Sequence, residues 1–541
     1  MAPKPTSSAS YLQHRPKELR RLYEPLALLC ALRRQIAEQR SIQSEGDGGW
    51  RGALQHYRDF LDALVRLATI KQGYNLAITA VKDGEEVIIL VAGNQDVTDD
   101  VVPFLNTMLE MVTRGRHAST DGETRNSELL NISNYAMSCQ NDNIFAIYQR
   151  LFVEFAPVCI PEITARLQKL EGNPHYSLDF PDWFKDHFFG EDRMALLETD
   201  MPALVRNCFS AYQEGRFEIF ERLIRQGDEF TERFEEFYQL LRDLVMPIEM
   251  CDLLFESAIA MWQDLEIEID VRHVPPSERM RVPLVKSKLN LESIANRMFS
   301  DGERFEQLSK SLRLHVPLPT RLIEQLKHYQ ETGFTQVHPE LRVVDYFDKD
   351  LGLQYFGNGG MYIATSKPCC FLCSQYMAHR RNHHIRESDP NDIDIQWRLP
   401  DILDVESIAR FEEQRIILRK ITERIRTDAE SLVLSCRPES SELTDDDSSQ
   451  STSPSIETDM VAQELSDMEI REYPNPSRCP PSIGSGEHPS VERWHDSDNE
   501  DDGEIVVFKG RQRHDFWSRN TAFFFFFSNL FFALVVSLLS G

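Results

Sequence analysis

HPELRVVDYFDKD (338–350) and MYIATSKPCCFLC (361–373) decide how the rest of the chain is read. His338 and Glu340 stand two apart, and Cys370 and Cys373 stand three apart just after a proline. Leu341, Val344 and Phe347 recur at helical spacing, so a helix is expected over 340–350 with HPE at its start. Pro339 is tolerated there because its missing N–H would have no helical partner in the first turn. FGNGG (356–360) reads as a loop and MYIAT (361–365) as a short strand. A second helix is expected from about Pro368, with Cys370 and Cys373 on one face of its first turns. The positive end of that helix dipole favours thiolates. Two helix starts, joined through one strand, thus converge.

Zinc favours thiolate and imidazole ligands, usually four in a tetrahedron, and a catalytic site keeps one position for water. His338, Cys370 and Cys373 supply three ligands. The metal lowers the pKa of its water to about 7, and a nearby carboxylate must take the released proton. Glu340 is placed for that role. Cys369 and Cys373, four apart, also share a helix face, so Cys369 stands as an alternative ligand.

In this order, with a strand between, the residues match the H-x-E…P-C-x-x-C pattern of zinc deaminases. The stretch resembles the cytidine deaminase-like superfamily. Within it, the likeness is to the fungal branch of nucleic acid/nucleotide deaminase-like proteins, where a long helical region precedes the motif and a W-x-L-P-like segment follows. Trp397-Arg398-Leu399-Pro400 stands in that place, and the resemblance covers about 338–400. It implies an α/β fold of three layers, a mixed sheet with helices on both faces and two strands ahead of the H-x-E helix. It also implies Zn2+ and the deamination of a nucleoside, a nucleotide or a base in single-stranded nucleic acid, by zinc-hydroxide attack with Glu340 as proton shuttle. One departure matters: Cys369 intervenes between Pro368 and Cys370, which leaves the cysteine pair a choice. An alternative of another class is a catalytically inactive, zinc-stabilised interaction scaffold. Cys369 as a fourth ligand would favour it, whereas Glu340 has no use in a closed structural site. AHRRNHH (378–384) adds a candidate cationic substrate rim of Arg380, His383 and His384, or simply a helix C-terminus decorated with cations.

No strand directly precedes His338, where KHYQETGFTQ intervenes. LAITAV (76–81) and EVIILVA (86–92), around the turn pair Asp83-Gly84, read as a hairpin able to supply the two missing strands. The continuous run VIILV suits a strand covered on both faces. Helices are expected before the hairpin, over 1–75, with Pro25 as a break. The region 95–330 reads as mostly helical, punctuated by Pro161, Pro174, Pro181, Pro202 and Pro247. It is either a large insertion in the 331–434 zinc domain or part of a separate domain. Its aromatic clusters FKDHFF (184–189) and FEEFY (234–238) read as core packing. A last helix, 405–434, presents Ile408, Phe411, Leu418, Ile421 and Ile425 on one face and would pack back on the motif.

Length and composition bound the remainder. A chain of 541 residues calls for more than one ordinary core. The net charge of −28 argues against a whole-protein grip on phosphate backbones. The ten cysteines include seven scattered singly, which is no secreted disulfide framework, and the N-terminus has no apolar run. An intracellular setting, cytoplasmic or nuclear, is the expectation. The segment 436–515 is rich in Ser, Pro, Asp and Glu and reads as a disordered acidic tail. Within it EIVVF (504–508), with Ile505 and Phe508, could add a strand to a partner's sheet edge in the manner of a SUMO-interacting motif. AFFFFFSNLFFALVVSLL (522–539), behind Lys509, Arg511, Arg513 and Arg519, reads as a C-terminal membrane anchor or as a gene-model artefact.

Overall fold

The β-branched run after Glu86 dictates a strand with no solvent face, and the fold is built around it. A computed structural model describes residues 11–435, apart from 13, 15, 38–54, 118–121, 170–179, 189–200, 262–268, 285–290, 299–301, 315–317, 351, 357–359, 381, 387, 390 and 404–407. The expectations for 436–515, for the 504–508 segment within it and for 522–539 lie outside the described residues. Residues 11–438 form one unit.

Strands β1 (Leu76–Asp83) and β2 (Glu86–Gly93) pair antiparallel in full register, from Leu76↔Gly93 to Asp83↔Glu86. Gly84 takes φ 65° in the two-residue turn, a backbone that glycine adopts without a Cβ clash. The hairpin joins β3 (Ile269–Val274), β4 (Leu353–Tyr355), β5 (Met361–Thr365) and β6 (His383–Ile385) in one mixed sheet of order β6–β5–β1–β2–β3. β1 pairs antiparallel with β5 at Ala77↔Thr365 and with β4 at Val81↔Tyr355; β2–β3 and β5–β6 are parallel. The hairpin and the motif strand therefore share one sheet.

Side chains alternate between two cores, as the period of two requires. Ala77, Val81, Ile88, Leu90, Met361 and Ile363 face α1 (Pro16–Ala37) and the motif helices. Ile78, Ala80, Ile89, Val91, Tyr362 and Ala364 face α2 (Gln55–Leu67), α3 (Val101–His117) and α4 (Gly122–Cys139). The crossover from β2 to β3 continues through α5 (Asn141–Arg150), a π-helical turn Leu151–Phe155, α6 (Ala156–Lys169), α7 (Phe180–Phe188), α8 (Met201–Gln213), α9 (Glu218–Ile224) and α10 (Thr231–Ala260). These build a third, aromatic-rich core in which Phe180, Phe184, Phe220 and Phe237 touch edge to face. Phe184, Phe188, Phe234 and Phe237 of the aromatic clusters are thus interior. α10 spans two cores: Phe234 to Ile248 lie in the third, while Cys251, Leu254 and Phe255 lie against the sheet. The run 141–168 is long and apolar enough to cross a membrane, a test that core helices also pass, and its Ile144, Tyr148, Leu151 and Ile160 are buried in the third core.

After β3 come α11 (Leu291–Met298), α12 (Gly302–Leu314), α13 (Leu318–Thr332), α14 (Pro339–Lys349), α15 (Phe371–Ala378) and α16 (Ile408–Ser435). The 95–330 region is mostly helical, with β3 inside it: Ile269 and Val271 alternate with Asp270 and Arg272, and the strand runs parallel to β2 over Val87↔Ile269 to Ala92↔Val274. The expectations for the prolines and for Ile408 need correction. Pro25 does not break α1, and Pro161 and Pro247 also lie inside helices α6 and α10. An interior proline costs about 3 kcal/mol. In α1 that is outweighed by a buried run, Leu22, Tyr23 and Leu26 to Leu32, each leucine adding about 1.5–3 kcal/mol. Finally, Ile408 is 75% exposed; the buried stripe of α16 is Leu418, Ile421, Ile425, Ala429 and Val433.

Candidate metal centre

Each motif helix begins at a metal-ligating residue type. His338 caps α14 with extended backbone, φ −66° and ψ 152°, and its carbonyl accepts from Arg342 N at 3.1 Å. Cys370 caps α15 in the same conformation, φ −66° and ψ 158°, and its sulfur accepts from Cys373 N at 3.5 Å. The helix starts at Phe371 rather than at Pro368, because Cys369 and Cys370 are held in a parallel bridge to Ser388 and Asp389. The cysteine pair is therefore a cap and a first-turn residue, and both sit where unpaired N–H groups and the positive dipole end favour thiolate.

His338 Nδ1 lies 3.5 Å from Cys370 Sγ and 3.4 Å from Cys373 Sγ. Zinc bonds of roughly 2.3 Å to sulfur and 2.0–2.1 Å to nitrogen place tetrahedral S and N ligands about 3.6 Å apart. The three buried groups fit zinc at that spacing, and their ligand atoms lie within 4.8 Å of one another. Cys369 does not share this group. Its sulfur falls within 4.8 Å of a Glu340 carboxylate oxygen and of Cys373 Sγ. Glu340, in the first turn of α14, is buried, and its Oε2 takes no hydrogen bond among the described residues.

Asp394 completes the arrangement, and its role was not foreseen. Its Oδ2 lies 3.3 Å from His338 Nε2, which turns Nδ1 toward the sulfurs. Its Oδ1 accepts from Gln396 N at 2.8 Å and fixes the turn into Trp397. Nothing in DPNDIDIQ sets Asp394 apart from Asp389 and Asp392; its place three residues before Trp397 and beside His338 is visible only in the fold. Gln336 bridges to Trp397, whose carbonyl accepts from Tyr23 Oη at 2.8 Å, so the W-R-L-P segment pins the strand that delivers His338. Arg342, one turn into α14, is also buried and donates to the Gly93 and Val274 carbonyls, the last residues of β2 and β3. The α14 N-terminus is thereby tied to the ends of two parallel strands.

Electrostatics follow from these contacts. The Cys373 and His338 hydrogen bonds outweigh burial and bring the Cys370 thiol down to about 6. Burial, reinforced by its sulfur neighbours, pushes Cys373 well up. Burial opposes an imidazolium at His338, but the Asp394 carboxylate and Cys370 overcome it and raise its pKa. At Cys369 a hydrogen bond with Cys373 favours thiolate, yet burial and the Glu340 charge prevail and push it up to about 12.

The three rim residues are not brought to this end. His383 meets Phe347 and Tyr355 edge-on, and Arg380 pairs with Asp348 and Glu413. Phe347 and Asp348 lie nine and ten residues past His338, about 13–15 Å along the helix. His384, next along β6, alternates to the other sheet face, opposite Tyr362. Arg380 serves the C-terminal turn of α14, where cations offset the dipole.

A His/Cys/Cys group able to hold a metal ion, with a buried carboxylate at its side, thus stands at two helix starts. Residues 337–401, 65 of 541, match the model of the family described as OTT_1508_deam:-like deaminase, so this segment is deaminase-like. No curated protein and no solved structure matches the chain.

Proposed function

We propose that the chain is a zinc-dependent hydrolytic deaminase, with His338, Cys370 and Cys373 as ligands and Glu340 as proton shuttle. The observation that carries this is the Nδ1–Sγ spacing of 3.4 and 3.5 Å, with a buried Glu340 whose Oε2 is unpartnered. Zinc in such a site supplies a bound water that is acidic near neutral pH. Asp394 keeps the imidazole oriented through Nε2. Glu340 takes a proton at Oε2 and returns it to the departing amino group, so that water replaces the amine and ammonia leaves. Burial of all four groups keeps bulk water from the exchange.

The substrate class is an amino-bearing base of a nucleoside, nucleotide or single-stranded nucleic acid. The finer kinship, a cytidine deaminase-like three-layer fold of the fungal branch, is supported by the Trp397–Pro400 segment, by the long helical region and by helices on both sheet faces. The scaffold alternative needs a closed site, but Cys369 groups with Glu340 instead of completing the set around His338. The test is ammonia release by the zinc-loaded full chain from nucleosides, nucleotides and single-stranded DNA and RNA. Release that disappears in Glu340→Gln while zinc stays bound supports the assignment. Release that survives in Glu340→Gln, or none from a fully zinc-loaded chain across all these classes, refutes it.

A further inference from the structure

Glu340 needs something to aim it. A glutamate has three rotatable bonds, and a base that wanders loses the benefit of its position. Among the described residues Oε2 has no hydrogen bond. Cys369, outside the ligand set, lies beside the carboxylate. Its sulfur lies within 4.8 Å of a Glu340 carboxylate oxygen, and the residue is fully buried. Its backbone is fixed by the parallel bridge to Ser388. A thiol is a weak donor, strengthened when its acceptor is charged.

We infer that Cys369 is a positioning residue for Glu340: its S–H is directed to the carboxylate and holds it beside the metal group, and it is not itself a ligand. This rests on the zinc reading above. It explains why two adjacent cysteines precede Phe371 when the ligand set needs one. Cys373 belongs to both groups, so the cluster places Cys369 against a ligand sulfur as well as against the carboxylate.

The test uses the full chain loaded with cobalt(II), whose thiolate charge-transfer band counts sulfur ligands and whose visible bands titrate with the bound water. Cys369→Val fills the space without a donor, and Cys369→Ser restores one. Both variants should keep one metal per chain and the wild-type charge-transfer intensity. In Cys369→Val the titration midpoint should move at least half of the way to that of Glu340→Gln, and in Cys369→Ser it should return. A charge-transfer band lower by about one third in Cys369→Val, the loss of one thiolate in three, or by about one half, the loss of one in two, makes Cys369 a ligand and overturns the inference alone. So does an unmoved midpoint in Cys369→Val with the metal intact or, where only Cys369→Ser folds, a midpoint there that moves as far as that of Glu340→Gln. A wild-type chain that takes up neither zinc nor cobalt overturns the zinc reading, and this inference with it.

Discussion

Replacing Asp394 by Asn isolates what the carboxylate beside His338 contributes. The substitution keeps an oxygen to accept from Gln396 N, so the turn into Trp397 survives, while the charge and the acceptor opposite Nε2 are replaced by an amide NH2. At 3.3 Å two unit charges at an effective dielectric of about 20 interact by about 5 kcal/mol, which bounds the effect from above. Two facts reduce it. The Asp394 side chain keeps 35% of its exposure, and a metal-bound imidazole is neutral, so the carboxylate orients a dipole and does not pair an ion. Partners of this kind are typically worth 10–100-fold in metal affinity, about 1.4–2.7 kcal/mol. Competition against a fluorescent chelator at pH 7.5 should therefore show zinc held about 10–100-fold more weakly by Asp394→Asn. In His338→Ala zinc should be lost at any chelator concentration that leaves wild type loaded. Asp394→Asn binding within twofold of wild type, or zinc retained in His338→Ala, would refute the assignment of Nδ1 to the metal and Nε2 to Asp394.

Three further outcomes can be checked. Glu340→Gln should keep one zinc per chain by elemental analysis, because that carboxylate is not a ligand. Arg342→Met should lower stability by about 2–4 kcal/mol in denaturant unfolding, since the Gly93 and Val274 carbonyls each lose a charged donor worth about 1.5–3 kcal/mol while a costly buried charge disappears. Asp62→Asn should stabilise the protein at pH 7.5 but not at pH 4. Burial, only partly countered by Arg386 and Tyr362, pushes the Asp62 carboxyl from 3.8 up to about 6. The folded state therefore binds more protons between about pH 4 and 6, and stability falls as pH rises through that window. A shift of about two units corresponds to about 3 kcal/mol, present in full above pH 6 and absent below pH 4. Arg386 is itself partly exposed, so losing the Asp62 charge costs it little. Equal unfolding midpoints for wild type and Asp62→Asn at pH 7.5 would sink this account.

What could be read from residues alone was local. His338, Pro339 and Glu340 mark a helix start because capping geometry and the proline at its first position are rules of adjacent residues. The hairpin was legible through Gly84 and the apolar runs on either side of it. β3 is hard to read because only Ile269 and Val271 alternate before His273 and Val274 break the period, and six residues amid helices give little to weigh. The non-local parts had no signal of their own. Asp394 is one acid among several in its loop, and Arg342 looks like an ordinary helix-surface cation until Gly93 and Val274 are seen beneath it. The cationic run 378–384 left a substrate rim and a plain helix terminus both open, because composition records charge but not which end of α14 it faces.

The pairing of β1 with β5 has a temporal side. Met361 trails Gly93 by 268 residues, so at roughly 5–20 residues per second the ribosome delivers the second strand about 13–54 s after the first. Throughout that interval β1 has one edge without its native neighbour, and an apolar strand edge is a template for stray pairing. The contact order is high and the hairpin must wait. Newly made chains should accordingly lean on chaperones, and a nonsense codon after β3 should yield an aggregating fragment and not a small stable domain.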